Sequence, residues 1–281
     1  MPEELKLFVF NCIQSFLLGV IQGVTEFLPI SSTAHLKVIP YFLGWSDPGV
    51  SISASLQLGS AIAIVFYFRN DLASIINSFP DILIKRNLNN NDNSKLLIYI
   101  FVASIPILIV GILIKLFWND FSNSYFRGFY SIAVVSILMA LLLAIAEKYS
   151  AKKKFFKDIE LRDIILLGFS QTLAIFPGVS RSGVTLTSAL FSGIERQTAA
   201  RLSFLVGIPA ISISGFVELF TLFYTSSAMD FLPIIIGITS SFFSSIIAID
   251  FLLMFLAKSN TLIFVYYRLA FGVIILTTLY Y

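Results

Sequence analysis

The sequence predicts an all-α polytopic membrane protein: an inverted-topology repeat with about six transmembrane helices and two re-entrant helical hairpins, forming one integral membrane domain over 1–281. Three observations carry this reading. Of 281 residues, 57% are hydrophobic and only 12% charged, about half the share of charge usual in a soluble domain. A soluble core of that composition would leave too little polar surface to cover itself. Apolar stretches of the roughly 20 residues that a bilayer requires recur along the chain. Two further apolar stretches stop at proline, glycine and serine, as helices broken at membrane depth do.

Taken in order, residues 5–28 are apolar but run into Pro29, Ser31, Ser32, Thr33 and His35. The start, Met1-Pro2-Glu3-Glu4, has no basic n-region and no small-x-small cleavage site follows. It reads as a retained helix rather than a signal peptide. Spans follow near 50–68, 96–118 and 126–146. A shorter apolar run at 163–176 ends at Pro177-Gly178, followed by Ser180-Arg181-Ser182-Gly183. Three more spans lie near 199–225, 231–257 and 261–281.

Charge gives these spans a direction. The segment 69–95 carries Arg69, Lys85, Arg86 and Lys95, and the segment 147–163 carries Lys148, Lys152, Lys153, Lys154, Lys157 and Arg162. The short connections 45–49, 119–125 and 226–230 hold Asp47, Asp120 and Asp230 with no Lys or Arg. By the positive-inside rule the basic segments are cytoplasmic and the acidic turns external. The stretch 87–94 reads as a flexible cytoplasmic loop. Parity then makes the two broken regions enter from opposite faces.

An internal repeat agrees. Gly19-x-x-Gln22 before Pro29 parallels Gly168-x-x-Gln171 before Pro177, and with a one-residue gap Ser32 aligns with Ser180, Ser55 with Ser203 and Gly59 with Gly207. The halves are roughly 1–146 and 161–281, joined by a basic cytoplasmic loop at 147–160. Matched halves of opposite orientation place a site near the midplane, since broken backbone at that depth survives only inside protein or beside water.

Other classes drop out. A net charge of +3 is too small and scattered for nucleic-acid binding. The single cysteine, Cys12, allows neither an internal disulfide nor a zinc cluster.

Ionisable residues at membrane depth cost roughly 2.5–3.5 kcal/mol each even on lenient scales. Here they gather at the breaks: Glu26 and His35 in the first, Arg181 in the second. Gln22 and Glu26 share a helical face, Pro29 ends that helix, and Ser31 or Ser32 caps the next, bringing a carboxylate, a hydroxyl and an imidazole around one turn. The plainer alternative is that Ser31, Ser32 and Thr33 only satisfy broken backbone, with His35 a buried hydrogen-bonder. The second break resembles an anion cradle: Gly178 and Gly183 allow close approach, Ser180, Ser182 and Thr185 donate, the helix start favours phosphate, and Arg181 can fork onto its oxygens. The plainer alternative there is a kinked helix whose Arg181 pairs with Glu26, which still joins both breaks into one site. Glu218, Asp250 and Arg268 read as snorkelling or structural pairs, and Lys37 as a site residue or an interfacial charge.

This set suits phosphoryl transfer. Arg181 and the helix dipole would stabilise developing charge, Glu26 would act as base toward a serine or water, and His35 as nucleophile or proton carrier. The attacking group stays open between serine, histidine and water. Glu26 beside phosphate oxygens also suits Mg²⁺ or Ca²⁺. The lipid setting points to a substrate with a long apolar tail and a diphosphate head. A transporter or flippase for an anionic lipid or solute is the alternative, because broken inverted repeats also mark transporters. An intramembrane serine protease using Ser32 and His35 would leave Arg181 unexplained.

Gly19-Val-Ile-Gln-Gly-Val-Thr-Glu-Phe-Leu-Pro-Ile-Ser-Ser-Thr-Ala-His35 and Pro177-Gly-Val-Ser-Arg-Ser-Gly-Val-Thr185 resemble the undecaprenyl-diphosphate phosphatase family of the bacitracin-resistance type. Gln57-Leu-Gly-Ser60 and Arg201-Leu-Ser-Phe204 look like family segments too, so the resemblance covers essentially the whole chain. It implies hydrolysis of undecaprenyl diphosphate to the monophosphate in the bacterial inner membrane, with the site toward the periplasm, recycling the lipid carrier for peptidoglycan. Bacitracin would compete only indirectly, by sequestering the substrate. The resemblance makes Glu26, Ser32, His35, Ser180, Arg181 and Thr185 active-site residues, with Gln22, Ser31, Thr33, Gln57 and Arg201 in support, and it leaves a homodimer open. Gln22 stands where many members have glutamate, which leaves Glu26 the sole acid of the first break and weakens the metal site.

Overall fold

The computed structural model describes residues 3–45, 49–79, 92–118, 121, 124–225 and 231–279, the side chains of 49–52, 54, 218, 219 and 221–225 excepted. Asp47, Lys85, Arg86, Asp120, Asp230 and the Glu218 side chain lie outside the described residues. Among the described residues the regular secondary structure is helical, apart from one isolated bridge between Lys154 and Ile194. The helices are α1 (Glu3–Phe27), α2 (Ser32–Phe42), α3 (Gly49–Tyr67), α4 (Arg69–Asn77), α5 (Asp92–Phe117), α6 (Phe129–Tyr149), α7 (Leu161–Thr172), α8 (Arg181–Phe191), α9 (Arg196–Thr225), α10 (Phe231–Lys258) and α11 (Leu262–Thr278).

Five of these helices are long and apolar enough to cross a membrane, α1 being one of them by length although it is an arm of the first hairpin. Counting the bent pair α3–α4, which turns by 68° at Phe68, as one span brings the number to six by length and composition. The seventeen-residue α11 is shorter and apolar. This is an all-α polytopic membrane protein. Sequence boundaries move by a few residues, at 161 rather than 163 and at 196 rather than 199 among them. The span expected from 126 starts at Phe129, after a 3₁₀ turn at Tyr125–Arg127. Asp92, Asn93 and Ser94, read above as loop, form the first turn of α5.

Both breaks are hairpins, and they open at opposite ends of α6. In the first, the chain leaving α2 returns to where it entered. The Trp45 ring lies 6.0 Å from Phe10, two turns into α1. This end sits at the start of α6, where Tyr41 packs 4.8 Å from Phe129 and Lys37 Nζ donates to the Arg127 carbonyl at 2.6 Å. The second hairpin, α7–α8, starts and finishes at the other end of α6. The Lys153 and Lys154 amides donate to Gly193 O at 2.9 and 3.0 Å, and Ser150 Oγ donates to Leu190 O. Since 21 residues of α6 span about 30 Å, the hairpin mouths are a bilayer core apart.

Packing follows small residues. α1 lies on α10, α7 on α5, α3 on α9 and α6 on α11. At Gly23 an added Cβ would run into Ser244 Oγ and Ser241 O, whereas at Gly111 it would meet nothing within 4 Å. Close helix approach of this kind is how membrane helices gain contact without a hydrophobic driving force. Gly23→Val is therefore expected to destabilise the fold by about 1–3 kcal/mol, read as a lowered Tm in detergent, with Gly111→Val as the unaffected control. At the basic end, Glu147 ties three helices together: it accepts from Arg196 Nε at 3.0 Å and from Thr261 Oγ1 at 2.9 Å.

Candidate active site

The two breaks share one local geometry. Ser31 (φ +77°) and Ser180 (φ +68°) both adopt the left-handed region just before a helix begins. Each hydroxyl caps the amide three residues on: Ser31 Oγ accepts from Ala34 N at 3.4 Å, and Ser180 Oγ from Gly183 N at 3.1 Å. A non-glycine residue held there costs of order 1–3 kcal/mol, so something must fix it. This pairing corrects the sequence alignment. Ser31, not Ser32, is the counterpart of Ser180, because the first break has one residue fewer between its proline and its cap. Ser32 is instead the counterpart of Arg181.

That register explains the centre of the site. The first helical residue of each hairpin reaches the same carboxylate. Ser32 Oγ donates to Glu26 Oε2 at 2.5 Å, and Arg181 Nη2 to Glu26 Oε1 at 2.5 Å. Glu26 is 7% exposed, near the end of α1, and its second oxygen also accepts from Gln22 Nε2 at 2.9 Å. Two helix N-termini, each carrying partial positive charge, thus converge on one buried anion. Arg181 donates with its other terminal nitrogen to Gly207 O at 3.2 Å, where α9 passes closely.

Around this centre the donors are held by backbone. Ser182 Oγ donates to Glu26 O at 3.0 Å and to Leu28 O at 3.1 Å, locking the second hairpin onto the first. Thr185 Oγ1 bonds Arg181 O at 2.8 Å and meets the Ser203 hydroxyl. Ser31 and Thr33 hydroxyls lie 3.2 Å apart. Gln22 is fully buried and bonds Ser60 Oγ at 3.5 Å, while its Oε1 has no partner.

His35 stands apart from the carboxylate. Its Nδ1 lies 2.7 Å from Ser31 O and its Nε2 2.7 Å from the Tyr267 hydroxyl. A carbonyl can only accept, so Nδ1 carries the proton and Nε2 accepts from Tyr267. The ring stacks 4.3 Å from Phe271. Gln57 is half-buried on α3, one turn from Ser60. The structure does not bring Arg201 to the site. Its Nη2 donates to Asp71 Oδ1 at 2.5 Å, and its guanidinium lies against Phe68 and Phe156 at the basic end. The adjacent family segment is what draws attention to it, and segment proximity is not spatial proximity: it precedes Gly207 by nearly two helical turns. Lys37 points to the opposite interface. Asp250 pairs with the Tyr67 hydroxyl at 3.0 Å.

Arg268 is larger in role than its sequence position suggests. It is 1% exposed in α11 and does not snorkel. Its Nη1 donates to Pro29 O at 3.2 Å and to Val179 O at 3.1 Å, its Nη2 to Gly178 O at 2.6 Å, and its Nε to Ser136 O at 3.3 Å. One guanidinium holds both breaks. The readable signal was a charge inside the last span; its carbonyl partners carry no sequence mark.

Among the described residues no group of three or more His, Cys, Asp or Glu side chains could hold a metal. The oxygen donors present are the Glu26 carboxylate and the orphaned Gln22 Oε1. Two hard oxygens suit Mg²⁺ or Ca²⁺ only where substrate and water complete the shell, which a diphosphate would allow.

Fold and site together define a polytopic membrane protein with a buried anion centre assembled from two opposed hairpins. The chain belongs to the bacitracin resistance protein BacA family, whose model matches residues 15–274. It is 66% identical over 279 residues to an undecaprenyl-diphosphatase of Prochlorococcus marinus (strain NATL1A), covering 99% of this chain and all of that protein. It is 65% identical to its counterpart in strain NATL2A, with the same coverage. A Trichodesmium erythraeum (strain IMS101) protein of the same name is 47% identical, over 98% of this chain and 86% of its own.

Proposed function

We propose that the chain hydrolyses undecaprenyl diphosphate to undecaprenyl phosphate and inorganic phosphate. The observation that carries this is the Ser32–Glu26–Arg181 arrangement, with 2.5 Å bonds on both sides of one carboxylate. The relatives' shared name makes the transport alternative the less favoured reading. The enzyme sits in the bacterial plasma membrane with the site toward the periplasm, a reading supported by the basic segments 69–95 and 147–163. Bacitracin acts on this step from outside by sequestering the lipid diphosphate. Halves at roughly 1–146 and 161–281 form the inverted repeat, a reading supported by the matching caps at Ser31 and Ser180.

The terminal phosphoryl group enters between the two helix N-termini and takes Arg181 from Glu26. Released from that pairing, Glu26 accepts the Ser32 hydroxyl proton. Ser32 Oγ then attacks the terminal phosphorus while the bridging P–O bond breaks, and undecaprenyl phosphate leaves with the bridging oxygen. Glu26 passes the proton it took from Ser32 to the departing bridging oxygen; as a carboxylate again it deprotonates water, which attacks the phosphoserine, and the proton returns to Ser32 Oγ as phosphate leaves. Ser32 is preferred over His35 because its proton already points at a base, whereas both His35 nitrogens are engaged. Arg181 stabilises the equatorial oxygens throughout. Glu26 and Gln22 Oε1 would hold a divalent cation, which would supply charge neutralisation on the diphosphate.

The test uses purified protein in detergent with no membrane to cross. Phosphate release from undecaprenyl diphosphate is expected, falling sharply with EDTA and returning with Mg²⁺ or Ca²⁺. Full activity in EDTA would remove the cation from this reading, and no release under either cation would favour transport.

A further inference from the structure

A cleft of about 450 Å³ opens between α6, α7 and α8, on a different surface from the site. The active-site residues of α8 turn toward α1 and α9, through Ser182 to Glu26 O and Thr185 to Ser203. The cleft is lined instead by Thr187, Ser188 and Phe191 of the same helix. From α7 come Arg162, Leu166 and Ser170, and from the 3₁₀ turn directly after it Leu173, whose spacing of three or four makes one stripe. That stripe runs about 16 Å along the helix axis, close to half of the ~30 Å hydrocarbon core. Leu142, Leu166, Leu173 and Phe191 stand exposed along its walls. The cleft therefore traverses one leaflet, from the basic end of α7 to the tip of the hairpin.

Its interfacial end carries a cation. Arg162 is exposed and, among the described residues, has no ion-pair partner. The acid beside it, Asp163, is already held by Lys154 Nζ at 2.9 Å and by the Glu160 amide at 3.0 Å. Ser192 lines the same cleft. A basic opening at the interface above an apolar channel one leaflet deep matches a phospholipid with an anionic head.

We propose that this cleft binds one anionic phospholipid from the leaflet on the basic-loop side, its phosphate on Arg162 and one acyl chain along the α7 stripe. A polyprenyl chain is several times longer than the stripe, so the occupant is not the substrate. The site is independent of the catalytic reading and needs only the membrane setting.

Native mass spectrometry of the full chain in detergent, titrated with phosphatidylglycerol or with phosphatidylcholine of the same acyl chains, tests it. One phosphatidylglycerol is expected to be retained at least tenfold more tightly than phosphatidylcholine. Arg162→Gln should reduce that preference below twofold while phosphate release stays unchanged. Ser188→Trp fills the cleft and should abolish retention of both lipids. Leu166→Trp, on the exposed wall, does the same from the other side should the first variant not fold. Equal binding of the two lipids by the wild type, or a preference that survives Arg162→Gln, overturns the proposal. Displacement of phosphatidylglycerol by undecaprenyl phosphate at equal concentration overturns it too.

Discussion

Arg181→Lys is expected to lower kcat for phosphate release by about 10³-fold or more, the scale on which an arginine serves phosphoryl transfer. The fold should survive, because lysine keeps the positive charge beside Glu26. What lysine lacks is the fork: Arg181 spans from Glu26 Oε1 to Gly207 O, and a single ammonium cannot hold Gly207 and grip two phosphate oxygens at once. Arg181→Ala is a poorer probe, since stranding a buried carboxylate costs about 3–5 kcal/mol by itself. Glu26→Gln should reduce kcat to a similar extent by removing the proton acceptor. Combining it with Arg181→Lys should cost little more than either alone, because groups that act as a unit are not additive. Ser32→Ala separates chemistry from architecture: the ion pair remains, Tm should hardly move, and turnover should fall by about 10³-fold or more. A kcat within tenfold of wild type for Arg181→Lys would remove the arginine from the reaction, and the same result for Ser32→Ala would hand the attack to water.

The centre of this site was legible in the sequence because the bilayer makes charge conspicuous. Glu26 and Arg181 stand in apolar runs about 155 positions apart, and the cost of burying either alone requires that they meet. Helix ends at Pro29 and Pro177 followed from elementary backbone restriction. What escaped was register and partner. The alignment of Ser32 with Ser180 followed the prolines, whereas the backbone follows the caps, and a one-residue difference exchanges a cap for a reacting hydroxyl. Tyr267, which holds His35, and Ser60, which touches Gln22, sit on distant helices with no spacing to announce them. Arg201 shows the opposite error: its segment marks the family, but a half-buried guanidinium with Asp71 in reach pairs with it at the basic end instead.

Replacing Arg268 is expected to have the largest effect on the fold as well as on turnover. Four carbonyls converge on this guanidinium, three of them in the two breaks: Pro29, Gly178 and Val179. A hydrogen bond to a charged group contributes about 1.5–3 kcal/mol, so Arg268→Met, which fills similar space without donors, should remove several kcal/mol and depress Tm far more than any single serine substitution in the site. The consequence for chemistry follows from the caps. Ser31 and Ser180 are held at positive φ, and without Arg268 drawing in the carbonyls on either side the Ser182 bonds and the Arg181–Glu26 pair are left to match the two hairpins to each other. Ser32 and Arg181 would then drift from Glu26 even in the molecules that fold. Arg268→Lys keeps the charge but reaches fewer acceptors, so it should fold with an intermediate Tm and a kcat lowered by about tenfold or more, since misplacement by an ångström costs that much and beyond. Gly183→Ala approaches the same point from the other side, because its Cβ would lie 3.0 Å from Arg268 Nη1 and 3.1 Å from Ser180 Oγ. It should spare most of the stability yet lower kcat without raising KM in proportion, which a purely structural role would not produce. Wild-type turnover in both Arg268→Lys and Gly183→Ala would show that the hairpins keep their register without this residue.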